Sequence, residues 1–315
     1  MSRDSKRNRS EQSHRSASIR REQPRERRAK QGPRAAQGAK DARMMGKLYS
    51  QGAGQVQRKV RDRDKSRLQG LYIEGRRAAE EALKLGFPVR RVLVAAGQES
   101  ALALLMTGFQ AAGVRVEICE RHVLDELSSH GAHQGICLEI GEFPYADIAD
   151  VLAASGTGAS LVVVLDHVTD EGNLGAIIRS AEVVGAAGVV IAQKRAAGVG
   201  TGTFKTSAGA VMHLPVARVP NIAQALEALQ EAGFWVVGAS EHAHATCWDE
   251  PLTGRIALVM GSEGDGIARL IQERCDSLVK LPQRGQTESL NVAQAATVLC
   301  YEWLRTNAHE LKIGE

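Results

Sequence analysis

Residues 161–192 read LVVVLDHVTDEGNLGAIIRSAEVVGAAGVVIA, and this stretch decides the fold class. It opens on Leu161-Val-Val-Val-Leu165 and closes on Gly188-Val-Val-Ile-Ala192, two short β-branched runs without a charge. Runs of that kind suit strands buried on both faces of a parallel sheet. Between them Leu174, Ile177, Ile178, Ala181 and Val184 recur at helical spacing, so an amphipathic helix crosses from one strand to the next. The reading is β-α-β, and the chain is α/β.

The same alternation continues outward. Further apolar runs at 234–239, 256–261 and 278–282 read as strands of the same sheet, with helical patterns over 173–184, 221–232, 266–274 and 287–304. Toward the N-terminus, from Leu71, strands and helices alternate at short spacing and close on HQGICLEIGEF near Phe143, which predicts a small α/β domain over 71–143. Residues 144–159 turn polar and Gly/Ser-rich and read as a linker to a domain over 160–308, with a short tail over 309–315.

Residues 1–70 differ in kind. They hold 21 Lys and Arg against 7 Asp and Glu, whereas the remaining 245 residues hold 19 against 29. With almost no periodic apolar positions, the segment cannot offset the entropy of ordering itself and reads as a disordered basic extension. A solvated tail is one role, but so large a positive excess on an acidic body favours a nucleic-acid arm, because clustered cations displace counterions from a phosphate backbone. Asp4, Glu11 and Glu22 argue against a targeting peptide. Five widely spaced cysteines without a CxxC pair exclude a disulfide framework, disfavour a zinc finger and fit the reducing cytoplasm. No apolar run reaches the roughly 18 residues of a membrane span.

Ligands of a parallel α/β sheet bind beyond the carboxyl ends of its strands, and three such places carry unusual residues. After Leu165 comes DHVTDEGNLGAIIRS, in which Asn173 can cap the following helix and Arg179 lies off its apolar stripe. VMGSEGDGI over 259–267 runs from strand through three glycines; it lacks the Lys-Ser/Thr of a phosphate-binding loop, and GxGxxG is missing too. Glu263 in it is either a capping or a functional carboxylate. LPQRGQTESLNVAQAATVLCYEWL starts at Leu281; its helix is apolar almost all round and reads as buried, with Ser289 and Asn291 at the entrance as cap or as ligand-facing groups. His242, His244 and Cys247 have only loose metal-like spacing, and Asp166, His167 and Glu171 lack the GxSxG nucleophile of a hydrolase.

Taken together and in order, Asn173-Leu-Gly-x-x-x-Arg-Ser180, Leu258-Val-Met-Gly-Ser-Glu-Gly-Asp-Gly266 and Leu281-Pro-x-x-Gly-x-x-x-Ser-Leu-Asn-Val292 resemble the three motifs of the SpoU/TrmH family, 2′-O-ribose RNA methyltransferases of the SPOUT class. The likeness spans about residues 160–305, and 71–143, closing on His133-Gln134-Gly135-Ile136, resembles the substrate-binding domain of the rRNA-modifying branch. The resemblance implies a C-terminal trefoil knot, a rare exception to unknotted chain connections, an S-adenosylmethionine pocket within it, a homodimer and no metal. It implies cofactor contacts at Gly238, Ala239, Gly261, Leu281 and Leu290, and active-site positions at Asn173, Arg179, Glu263, Ser289 and Asn291. The family assigns Arg179 to activating the 2′-hydroxyl; since a guanidinium does not shed its proton readily, holding a phosphate or a developing alkoxide suits it better. A guanosine in large-subunit (23S) rRNA is the expected target, with tRNA second. A non-catalytic RNA-binding or ribosome-assembly protein on the same fold, or a nucleotide enzyme, are the competing classes.

Overall fold

The computed structural model describes residues 71–128, 132–286 and 289–313. The expectation of a disordered arm over residues 1–70 lies outside them. Among the described residues no helix is long and apolar enough to cross a membrane.

The first layer runs β1 (Leu71–Glu74), α1 (Arg76–Leu85), β2 (Val89–Ala95), α2 (Glu99–Ala111), β3 (Arg115–Cys119), α3 (Arg121–Leu127) and β4 (Ile136–Ile140). Its four strands lie in the order β1-β4-β2-β3, with β4 antiparallel to both neighbours and β2 parallel to β3. So β1, β2 and β3 run one way, and their C-terminal ends meet the start of β4 at one edge. Side chains alternate with period two. Ile73, Val92, Val94, Ile136 and Leu138 join Leu102 and Phe109 in one core, while Tyr72, Leu93, Ala95 and Cys137 join Leu124 in another. β1, four residues long, is the element of this layer that periodicity does not resolve.

The second layer runs α4 (Ile148–Ala154), β5 (Ser160–Leu165), α5 (Glu171–Val183), β6 (Gly188–Ala192), α6 (Thr201–Thr206), β7 (Val216–Val219), α7 (Ile222–Glu231), β8 (Trp235–Ala239), β9 (Ala245–Thr246), β10 (Arg255–Met260), α8 (Arg269–Gln272), β11 (Ser277–Lys280) and α9 (Val292–Thr306). All seven strands are parallel, in the order β7-β6-β5-β10-β8-β11-β9. β5 and β6 are buried along their whole length, which is why they read as uninterrupted apolar runs. Leu165 pairs with Met260, Met260 with Ala239, and Ala239 with Val279. The ends of β5, β10, β8 and β11 are therefore level, and the residues that follow them emerge on one rim.

Several local expectations change in three dimensions. The stretch read as a linker carries α4, closed by a reciprocal capping box between Asp147 and Asp150, and buries Val151 against the large sheet. The helix expected over 266–274 shrinks to one turn, because Gly266 is left-handed at φ 66° and Ala268 is extended. The last helix starts at Val292 rather than 287, and it is not buried all round. It buries Val292, Ala293, Ala296, Leu299, Cys300 and Trp303, leaving Val298 and Tyr301 about half exposed. Beyond it, the Glu310 carboxylate accepts from the Ala159 amide (2.7 Å), and buried Asn307 accepts from Gly254 N (2.7 Å) and donates to the Leu252 carbonyl (2.8 Å).

Candidate active site

The rim is tied together by a buried carboxylate. Asp166, the first residue after β5, is 1% exposed; one oxygen accepts from Ala268 N at 2.7 Å and the other pairs with His167 Nδ1 at 2.6 Å. It thereby anchors the segment that follows the glycine loop after β10. A buried carboxyl group requires such partners, so Asp166 serves as a structural tie.

The loop after β10 folds back on itself, with Ser262 and Gly266 exchanging backbone hydrogen bonds of 3.0 and 3.1 Å. This brings Gly261 so near the returning chain that a Cβ on it would lie 2.1 Å from Gly266 C and 2.2 Å from Ile267 N. Only glycine fits that approach.

Asn173, Glu263 and Asn291, one from each of the three motifs, meet here. Glu263 Oε1 accepts from Asn291 Nδ2 at 2.9 Å and from Asn173 Nδ2, and Asn291 Nδ2 also donates to Asn173 Oδ1 at 3.1 Å. Asn173 does not cap α5. Asp170 does, accepting from the Asn173 amide at 2.7 Å, and this frees the Asn173 side chain for the network. Asn291, in contrast, caps α9 with its own oxygen on Ala293 N (2.9 Å) while its amide holds Glu263. The cap expected at Ser289 thus belongs to Asn291. Glu263 caps nothing; it is the acceptor that holds the two amides.

Beside this network lies a cleft of about 640 Å³. Ala239, Gly261, Leu281, Ser289 and Leu290 line it, as do Glu263 and Asn291. Gly238 does not. It sits one residue back on β8, where a Cβ would meet Leu278 at 2.6 Å and the Cys275 sulfur at 3.0 Å, so its glycine character serves sheet packing. Arg179 is exposed on α5, outside the cleft, and among the described residues it has no hydrogen-bond or ion-pair partner. Its neighbour Ser180 joins α5 to α9 through a 2.7 Å contact with Thr297 Oγ1, a link that no motif announced.

The cleft suits a large, mixed ligand carrying positive charge. Its wall is apolar at Ala239, Met260, Ile267 and Leu281, offers backbone groups along 261–267, and carries the Glu241, Glu263 and Asp265 carboxylates against one ammonium, that of Lys280. Thiol chemistry is a poor fit. Burial, reinforced by the charges of Asp276 and Asp166, pushes the Cys275 thiol up to about 12, and burial alone takes Cys300 to about 12. Among the described residues no cluster of three or more His, Cys, Asp or Glu could hold a metal ion; the His242 ring lies 3.7 Å from the Glu241 carboxylate.

A model of the SpoU rRNA methylase family matches residues 160–301, and one described as RNA 2′-O ribose methyltransferase substrate binding matches 72–146. A Mycolicibacterium vanbaalenii protein described as an uncharacterized tRNA/rRNA methyltransferase is 38% identical over 264 residues, spanning 82% of this chain and 83% of its own. The chain belongs to the SpoU family of RNA methyltransferases. Among solved structures, the SpoU methyltransferase AviRb from Streptomyces viridochromogenes, in complex with AdoMet, superposes with a TM-score of 0.66 at 27% identity, covering 78% of this chain and 93% of AviRb. An RNA 2′-O ribose methyltransferase superposes with a TM-score of 0.58 at 28% identity, covering 75% and 88%. The SpoU methylase match begins at the first residue of β5 and ends within α9, so it contains all three motif segments that meet at Glu263. The substrate-binding match falls on the four-stranded layer.

Proposed function

We propose that this SpoU-family protein methylates a ribose 2′-hydroxyl in structured RNA, with a guanosine of large-subunit (23S) ribosomal RNA as the target. The observation that carries the reading is the convergence of Asn173, Glu263 and Asn291 beside the cleft. S-adenosylmethionine is the cofactor, and when bound it would supply a methyl group that passes to the ribose oxygen as the carbon–sulfur bond breaks, leaving a neutral thioether, with the hydroxyl proton passing to water. Ala239, Gly261, Leu281 and Leu290 would hold the cofactor. Gly238 would contribute only by letting β8 pack closely. The chain's own task is alignment and charge stabilisation. Asn173, Glu263 and Asn291 act as a positioning unit, fixing the start of α5, the glycine loop and the start of α9 against each other. Arg179, free of partners, holds the phosphate beside the reacting ribose and stabilises the developing alkoxide. Ser289, exposed at the cleft mouth, orients the ribose.

We further read the C-terminal region as a trefoil knot. In support, β10 lies between β5 and β8, strands from earlier in the chain, and α9 returns to pack on α5. The half-exposed Val298 and Tyr301 on α9 favour a homodimer. Residues 1–70 would add a basic RNA-binding arm, and the cytoplasm is the compartment this reading requires.

The test incubates purified protein with radiolabelled S-adenosylmethionine and unmodified large-subunit rRNA or tRNA in separate reactions, mapping the label by nuclease resistance. Label on a ribose of the rRNA is expected; label on tRNA alone would move the substrate, and no label on either, with S-adenosylmethionine bound, would mean that an assembled particle is the substrate or that the fold is kept for binding alone. Arg179→Ala should abolish transfer while S-adenosylmethionine still binds; near-normal turnover in that variant would discard its role.

A further inference from the structure

The edge of the small layer where β1, β2 and β3 end and β4 begins carries a second cavity, of about 390 Å³, lined by Arg76, Gln98, Arg121, Gln134 and Gly135. It shares no residue with the methyl-transfer cleft. Each loop at that edge supplies one of these groups: Arg76 follows β1, Gln98 follows β2, Arg121 follows β3, and Gln134-Gly135 precede β4.

The turn before β4 is held under strain. Gln134 is left-handed at φ 51° and Gly135 at φ 86°, a conformation that costs free energy at a non-glycine residue and tends to collect at ligand sites. Fully buried His133 supports it from below, accepting from Gly135 N at 3.0 Å and pairing with Asp125 at 2.9 Å. Arg76 closes the rim: its Nη2 donates to Gln98 Oε1 (3.0 Å), its Nε to the Gln134 carbonyl (3.2 Å) and its backbone amide to Gln134 Oε1 (3.2 Å).

These bonds turn the acceptors toward Arg76. Both glutamine side-chain oxygens are engaged, which leaves their NH₂ groups, the rest of the Arg76 guanidinium and all of Arg121 as donors. Among the described residues Arg121 has no hydrogen-bond or ion-pair partner, and neither a carboxylate nor an aromatic ring lines the cavity. A site where positive charge and free donors predominate, with no carboxylate, suits an acceptor-only anion; without a ring to stack on, it gives an unstacked base little hold.

We propose that this cavity seats a backbone phosphate of the RNA substrate, fixing the register of the small layer on the RNA while the reacting ribose lies in the other cleft. The inference rests on RNA being the substrate, and it assigns the small layer a positioning role through Arg121 and Arg76.

The test measures the affinity of the full chain for in vitro transcribed large-subunit rRNA across a salt series. Arg121→Gln should weaken binding roughly tenfold, as loss of one charge-assisted contact does, and should flatten the slope of log K against log salt by about 0.7–0.9. Arg121→Lys should restore most of both, since a phosphate accepts a point charge. Arg121 is exposed and unpartnered, so folding is not at stake, and S-adenosylmethionine affinity by calorimetry verifies it. An unchanged slope and affinity in Arg121→Gln overturns the site. A lysine variant as impaired as the glutamine one overturns the phosphate in favour of a base edge read by the guanidinium fork. Wild-type methyl transfer, scored separately, distinguishes failure of this site from failure of the enzymatic reading.

Discussion

The close approach at Gly261 makes the sharpest prediction. An alanine there would set its Cβ 2.1 Å from Gly266 C, 2.2 Å from Ile267 N and 2.4 Å from the Gly266 carbonyl oxygen. All three are backbone atoms, so no side chain can swing aside, and the returning loop must move outward by about 1 Å or more to restore ordinary contact. Overpacking of this kind costs about 1–3 kcal/mol. For a folded unit of this size each kcal/mol lowers Tm by about 2–4 °C, so Gly261→Ala should melt roughly 2–12 °C below wild type. The displaced loop is also a wall of the cleft, so S-adenosylmethionine affinity should fall by roughly tenfold or more. Gly264→Ala in the same loop is the control for stability: nothing lies within 4 Å of a Cβ built there, and trimming unfolded-state entropy could raise stability by about 0.4–1 kcal/mol. Differential scanning calorimetry and isothermal titration of the cofactor read both effects. If Gly261→Ala melts with Gly264→Ala and binds cofactor as wild type does, the steric argument is wrong.

Three further outcomes follow from other contacts. Glu263→Gln keeps an oxygen for Asn173 and Asn291 but loses the charge, so methyl transfer should fall about tenfold, whereas Glu263→Ala, which removes the acceptor, should fall on the order of a hundredfold or more; equal losses would show that charge, not positioning, is what matters. Burial lifts the Cys300 thiol from the usual value near 9.0 to about 12. Above pH 9 the unfolded chain therefore releases this proton before the native state does, so the stability contribution is complete below pH 9 and declines toward pH 12; Cys300→Ala should flatten the fall of Tm between pH 9 and 10.5, and an unaltered slope would refute the assignment. Val298→Asp with Tyr301→Asp, placed on the exposed face of α9, should convert a dimer to a monomer by light scattering, and a wild-type monomer mass would remove the dimer from the scheme.

Asn173, Glu263 and Asn291 were marked by residue type and by their place after apolar runs, and the structure joins them. What remained ambiguous was the job of each polar group. Asn173 looked like a helix cap, yet Asp170, three residues earlier, takes that place, and the difference decides whether the Asn173 amide is available to Glu263. Ser289 looked like a cap, yet Asn291 holds the helix start. Capping is a competition among neighbours that differ by a residue or two, and sequence alone ranks them only weakly. Helix α6 and strand β7 carry no periodic signal in their four to six residues and owe their order to what covers them; Gly175 lets α6 come so close to α5 that a Cβ would lie 1.9 Å from Thr206 Oγ1.

The sequence by itself determined the alternation of strands and helices, the burial of β5 and β6 on both faces, the split between a basic N-terminal segment and an acidic body, and the family the motifs resemble. Those are local or compositional signals, carried by periodicity and charge within a few residues. The tertiary structure alone decided that β10 lies between β5 and β8, that Gly238 packs while Ala239 faces the cleft, and that Arg121 and Gln134 share a cavity. These depend on which separate segments the fold brings together, as does the contact of Asn173 with Asn291, 118 residues away. Periodicity says which face of a strand is buried; it says nothing about which strand lies beside it.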